Sequence, residues 1–350
     1  MHALPLQSVA VTHPPAKLNL FFELLGKRDD GYHDIDTIMV AIDWHDQLRL
    51  QQRPSPGIEL IVDWMPSLEI IARELGVDPQ SEHGQSLLAI PADERNLVHR
   101  ALTRFVDHFG FAGGFCCHLS KSIPAGAGMG GASSDAASAL RCAATLAGIP
   151  LDHPDLRTLA SEIGSDVPFF LGNDTTSWTA ARATGRGEQI TPVSLATELN
   201  AVIAFPAISL STATVYSQSS VPTSPSSAND FIKAANTGIL ESITSQMCNR
   251  LQETATQITP QIDEILKSMW RLGLLGCQLT GSGSACFGLA DSAIQAKRLA
   301  EQLRRQLGRD SGSLDKPRSD SQISAGARVV AATSVRVPAI IQIESIRSPE

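Results

Sequence analysis

Three stretches of the chain hold side chains whose types and spacing suit chemistry. Lys17 lies within the apolar run Ala16–Leu25 (AKLNLFFELL), Asp166 lies within Gly164–Phe170 (GSDVPFF), and between them comes Pro124–Ala136, PAGAGMGGASSDA. An ammonium inside an apolar strand is costly unless a carboxylate or a phosphate compensates it. Asp166 is the expected partner: at about 4 Å and an effective dielectric of about 20, opposite charges attract by roughly 4 kcal/mol before desolvation, enough to keep both ionised. Taken alone, an aspartate in such a segment also reads as a solvated turn or a helix cap. A paired cation and carboxylate beside a polyphosphate cradle is the equipment of phosphoryl transfer, which asks a protein mainly for alignment and charge stabilisation.

The glycine-rich stretch supplies the cradle. Residues without a Cβ let backbone N–H groups converge on one point, and the loop opens directly into a helix whose N-terminal dipole attracts anions. Gly126, Gly128 and Gly131 also satisfy G-x-G-x-x-G. A dinucleotide fold is disfavoured, because Asp152 follows Gly148-Ile149-Pro150 and does not end a second apolar strand. A Walker A loop is excluded, since no Lys-Ser or Lys-Thr follows the last glycine. A glycine turn serving helix packing alone would waste the ordering entropy of so many glycines.

The elements that must position these residues follow from periodicity. Strands are expected at Ala16–Leu25, Asp36–Ile42 and on both sides of a Pro/Gly turn within Leu48–Asp63, with a helix at Ser67–Leu75. Residues 65–90 read as a peripheral insertion. Asn96–Phe109 is an amphipathic helix stopped by Gly110, Phe115–Leu119 a strand, and Ala132–Ala147 an Ala-rich helix closed by Gly148 and Pro150. Asp155–Ile163 is a short helix, and Pro168 makes the next segment a turn. Beyond residue 178, where a domain boundary is expected, come a buried strand (NAVIAFP), helices at Asp230–Leu240, Ile262–Leu272 and Ile294–Leu307, and a strand at Cys277–Thr280. The polar stretch 309–326 is expected to be disordered, and Arg328–Ser334 to form a last strand.

The three motifs resemble, in order, those of the GHMP kinases: PAKLN at Pro15–Asn19, the glycine loop, and LTGSGSACFG at Leu279–Gly288. Gly31-Tyr32-His33 and Gly164–Pro168 are similar to the subgroup that phosphorylates an alcohol bearing a cytidine diphosphate moiety. The resemblance implies an α+β protein of two domains. The N-terminal one, to residue 178, would be a β/α domain like the second domain of ribosomal protein S5; the C-terminal one, 179–308, would be a ferredoxin-like α+β domain, with 309–350 a low-complexity segment, last strand and tail.

The resemblance also implies roles. Asp166 would be the base and Lys17 its cationic partner, with Asn19 on the same strand face near the acceptor hydroxyls. Pro124, Ala125, Gly126, Ala127, Gly128, Met129, Gly130, Gly131, Ala132, Ser133 and Ser134 would bind ATP, Ser134 holding Mg2+, and Asn96 would contact adenine, although N-capping explains Asn96 nearly as well. Tyr32 and Tyr216 would sandwich a pyrimidine whose edge His33 reads, and Thr212, Gly281, Ser282 and Gly283 would complete the acceptor site. Ala132 replaces a more usual glycine or serine, a small change. Two rivals stay open: a mevalonate- or homoserine-type kinase of the same superfamily, and a catalytically silent nucleotide-binding module.

Composition sets the outer bounds. In 350 residues, 36 acidic side chains against 28 basic ones give a net charge of -8, so no global positive field draws nucleic acid or an anionic membrane, and an anionic ligand needs a local device. The six cysteines form no C-x-x-C pair, and neither a leader nor a membrane-spanning run is visible, which points to a reduced, cytoplasmic protein. A monomer or weak homodimer is expected.

Overall fold

The computed structural model describes residues 8–172, 177–310 and 326–345. Most of the segment expected to be disordered, and the end of the tail, lie outside the described residues. The chain opens with strands β1 (Ser8–Thr12), β2 (Pro15–Lys27), β3 (His33–His45), β4 (Gln47–Arg53) and β5 (Gly57–Trp64), then helices α1 (Leu68–Leu75), α2 (Glu82–Leu88) and α3 (Leu97–Phe109). Strand β6 (Gly114–Lys121), helices α4 (Gly131–Ala147), α5 (Pro154–Ile163) and α6 (Val167–Leu171), and the hairpin β7 (Ala180–Gly185) and β8 (Gln189–Val193) follow. The second half comprises β9 (Asn200–Pro206), α7 (Thr212–Gln218), α8 (Ala228–Ala235), α9 (Leu240–Ser245), β10 (Cys248–Asn249), α10 (Gln252–Ile258) and α11 (Pro260–Arg271). It ends with β11 (Leu275–Leu279), β12 (Cys286–Ala290), α12 (Ala293–Asp310), β13 (Ala327–Thr333) and β14 (Ile341–Ser345).

Three sheets result. One runs β14-β1-β4-β6-β5, the second β10-β2-β3-β7-β8 and the third β11-β12-β9-β13. The third sheet has the chain order β-α-β-β-α-β, with β9 and β12 central, which is the ferredoxin-like arrangement. The expected divide near residue 178 falls just before β7, which with β8 still pairs onto β3, so the second sheet continues past it. Strand β14 pairs with β1, returning the C-terminal segment to the first sheet.

Helix α4 is the main internal helix. Its alanines bury almost every face, since small side chains let it pack beside α3 and α6 and over the first sheet; Leu140 and Leu146 are fully buried. The ends of α3 and α4 follow from left-handed Gly110 (φ 61°) and Gly148 (φ 72°).

Two local expectations need correction. Residues 65–90 are not peripheral: Ile71, Ala72, Leu75, Leu87 and Leu88 are buried in the core that β13 shares, and Glu74 pairs with the buried Arg328 at 2.9 Å. The apolar stripe of α1 was visible in the sequence, but the strand that covers it lies some 250 residues downstream. The segment after Asp166 is a helix, α6, with Pro168 in its first turn, where a missing N–H costs nothing.

Candidate active site

Strand β2 presents Lys17 and Asn19 on one face. Lys17 is only 3% exposed, and its Nζ donates to Asn19 Oδ1 at 2.6 Å and to the Gly128 carbonyl at 2.9 Å while lying 3.5 Å from Asp166 Oδ2. Sequence reasoning expected this pairing, and the structure brings the two residues together. Asp166 occupies the N-cap position of α6 yet makes no side-chain capping bond, so the cap alternative does not hold its carboxylate. Asn19 is oriented by β3, donating through Nδ2 to Thr37 Oγ1 at 2.9 Å, and its Oδ1 lies 3.3 Å from Thr280 Oγ1, whose single hydrogen it shares with the Gly128 carbonyl. One Nδ2 hydrogen remains beyond these bonds.

The glycine loop crosses above this pair. Its carbonyls turn into the protein: Met129 O accepts from Lys17 N at 2.9 Å, Ala127 O from Ala285 N at 3.2 Å, and Gly128 O from Thr280 Oγ1 at 3.3 Å. None of the backbone N–H groups from Ala125 to Ser133 donates to an acceptor among the described residues. Such a run of unsatisfied donors, merging with the first turn of α4, is an anion cradle. Ala127 and Met129 anchor it as buried side chains. Gly128 is required twice over, with φ +75° and only 2.1 Å between a built Cβ and the Thr280 carbonyl.

Beneath the loop lies a charge network that the sequence reading missed. Buried Lys121 bonds Asp46 and, at 2.6 Å, Asp135, while Asp46 Oδ1 accepts from Ile123 N at 2.8 Å, which fixes the start of the loop. Burial pushes the Asp135 carboxyl well above the usual carboxylate range, with Lys121 pulling against it.

A cavity of about 680 Å³ extends from the Lys17–Asp166 pair to an aromatic end. His33, 9% exposed, and Tyr216 lie with ring centroids 5.5 Å apart at 45°, and Tyr32 stands 56% exposed on the cavity wall. Burial, aided by the Lys27 charge, lowers the His33 pKa, and burial raises that of Tyr216. Tyr32 and Tyr216 make no ring contact among the described residues, while both face the cavity. Thr212 and Ser282 share a 2.8 Å hydrogen bond on its wall, beside Gly281.

Some expected residues fall elsewhere. Asn96 caps α3: its Oδ1 accepts from Val98 N at 2.9 Å and its Nδ2 donates to Pro91 O at 2.8 Å, and it is not among the residues lining this cavity, so the structure shows its capping role alone. Ser134 is fully buried with its hydroxyl unpartnered, whereas Ser133, one residue earlier in the turn, lines the cavity; the hydroxyl available to a ligand is that of Ser133. Of the glycine loop, Gly128, Gly130 and Ser133 line the cavity; Ala125, Gly126 and Ala132 are exposed and outside its lining, and Pro124 and Gly131 are buried. Gly283 is buried in the turn behind Ser282, against Leu279. Phe22, Lys27, Ile35 and Arg186 also line the cavity and were not anticipated.

The family model for the GHMP kinases N terminal domain matches residues 96–173, and that for the GHMP kinases C terminal matches residues 231–309. Fold and site together define a small-molecule kinase of the two-domain GHMP type. The chain is 48% identical over 302 residues, 84% of its length and 90% of the other, to a 4-diphosphocytidyl-2-C-methyl-D-erythritol kinase of Rhodopirellula baltica. It is 31% identical to one of Acaryochloris marina, covering 88% of this chain and 93% of that one. A crystal structure of 4-(cytidine 5'-diphospho)-2C-methyl-D-erythritol kinase superposes with a TM-score of 0.67 at 28% identity, covering 93% of this chain and 99% of that one. The chain belongs to the 4-diphosphocytidyl-2-C-methyl-D-erythritol kinase family.

Proposed function

We propose that the protein transfers the γ-phosphoryl group of ATP to the 2-hydroxyl of 4-diphosphocytidyl-2-C-methyl-D-erythritol, a step of the non-mevalonate isoprenoid pathway. The carrying observation is the 3.5 Å Lys17–Asp166 contact at one end of a cavity whose other end is aromatic, under a loop of unsatisfied N–H groups. Asp166 accepts the proton of the 2-hydroxyl, and Lys17 offsets charge on the alkoxide as it forms. Asn19 orients the acceptor with its remaining amide hydrogen. The loop and the start of α4 hold the triphosphate, which an acidic protein could not gather by its global field.

Magnesium enters as part of the nucleotide substrate. Among the described residues no group of three or more His, Cys, Asp or Glu could hold a metal ion, which suits an ion held chiefly by phosphates and water. Ser133 is the loop hydroxyl in position to join it. Tyr32, His33 and Tyr216 receive the cytosine. The reading places the enzyme in the cytoplasm, consistent with six free thiols. No described helix is long and apolar enough to cross a membrane.

The paired Lys17 and Asp166 argue against a silent nucleotide-binding module, and the aromatic end of the cavity argues against a mevalonate- or homoserine-type acceptor. ADP release with the three acceptors in parallel tests this. Turnover is expected with the cytidylyl acceptor alone; turnover of mevalonate or homoserine without it would overturn the reading.

A further inference from the structure

The proposed acceptor has a fixed covalent order: base, ribose, diphosphate, then the branched alcohol that reacts. With the base at Tyr32, His33 and Tyr216 and the hydroxyl at Asp166, the diphosphate must cross the middle of the cavity. It brings negative charge there, and Asp166 at one end makes an unneutralised diphosphate costly.

Arg186 stands on that path. It occupies the turn between β7 and β8, flanked by Gly185 (φ +71°) and Gly187 (φ +118°). The backbone of this turn lies beside the reacting end, since a Cβ built on Gly187 would sit 3.4 Å from Ser165 Cβ and 3.9 Å from Asp166 Oδ1. The side chain then reaches toward the base end, with its guanidinium carbon 5.3 Å from the Tyr32 ring centroid. One residue therefore spans the two ends of the cavity.

Its charge is hardly used within the protein. The Nε–Glu188 Oε2 separation is 4.0 Å, and the side chain makes no hydrogen bond among the described residues, although its backbone N–H donates to Glu188. Asp30, the other acid nearby, is already engaged by Arg28 Nε at 3.1 Å and by Tyr32 N at 3.1 Å. A planar guanidinium, held over an aromatic face and with its donors free, suits bidentate phosphate recognition.

Resting on the reading of the acceptor given above, we propose that Arg186 is a specificity-determining residue that holds the acceptor's diphosphate from its position over the Tyr32 ring. It makes the site select diphosphate esters of cytidine over the bare nucleoside.

Calorimetric titration of the full-length wild type, Arg186→Ala and Arg186→Lys with CDP, cytidine and ADP tests this. Wild type is expected to prefer CDP to cytidine. Arg186→Ala should weaken CDP by about tenfold, the size of one exposed charge-assisted contact, while cytidine and ADP stay within about twofold, and Arg186→Lys should recover part of the loss. Equal weakening of CDP and cytidine would reduce Arg186 to a brace for Tyr32 and overturn the assignment. So would unchanged CDP binding, or an equal loss for ADP. Wild type binding neither CDP nor cytidine would instead refute the cytidylyl acceptor itself, and this inference with it.

Discussion

Lys17 Nζ lies 3.5 Å from Asp166 Oδ2, although 149 positions separate the two residues in the chain, and the same nitrogen donates to the Gly128 carbonyl of the glycine loop at 2.9 Å. The ammonium thus ties the Asp166 carboxylate and the glycine loop to one strand. Because β2 is buried and paired with β3 at Lys17, whose backbone N–H also donates to the Met129 carbonyl at 2.9 Å, this junction is held by the backbone and not by a mobile side chain alone.

The loop's geometry predicts unequal costs for two similar substitutions. Gly128→Ala must adopt a left-handed backbone and also meet the Thr280 carbonyl, so a loss of about 3 kcal/mol in stability and a raised KM for ATP are expected. Gly126→Ala has φ +66° with nothing within 4 Å and should cost about 1 kcal/mol. Thermal unfolding and ATP kinetics on both variants check this; equal effects would contradict it.

Asn96→Ala should behave as a lost helix cap. Removing the Oδ1 bond to Val98 N is expected to cost about 1 kcal/mol, read as a lower Tm, while KM for ATP stays within about twofold. A large rise in that KM with unchanged Tm would instead assign Asn96 to an adenine contact.

His33 should make base binding sensitive to acid. Its pKa lies below the ordinary 6.5, because burial disfavours the charged ring and Lys27 repels it, so near neutral pH one ring nitrogen accepts while the other donates. Protonation turns both into donors. Cytidine affinity should therefore be highest at neutral pH and above and fall as pH drops through the lowered His33 value. In His33→Gln the same titration should be flat; a flat wild-type profile to about pH 5 would remove His33 from the base contact.

Much of this site was legible in the sequence because its chemistry is expensive. A lysine among Ala16, Leu18 and Leu20 demands a counter-charge, and a dense run of glycines demands a ligand or a close approach. What stayed hidden depends on three-dimensional placement. Ser133 and Ser134 differ by about 100° around the helix, and the sequence does not say which faces the ligand. Asn96 has the same appearance as a cap and as a base contact. Arg186 is a single cation in a turn, with no spacing to mark it. Asp46 and Lys121 meet across 75 positions, and only the lysine ending an apolar strand hinted at a buried partner.

In the fold, the third sheet followed from short apolar runs such as NAVIAFP, which suit strands buried on both faces. The error over residues 65–90 arose because a helix stripe shows that something covers it, not what. Strand β14 follows the same logic: Ile341–Ser345 is mostly polar and became a strand through pairing with β1.

The most direct test of the central claim is turnover by Asp166→Asn, with affinities for ATP and the cytidylyl acceptor measured on the same preparation. The Lys17–Asp166 arrangement predicts a kcat at least about a hundredfold below wild type with both affinities nearly unchanged. Near-normal turnover, with both substrates bound as in the wild type, would contradict it.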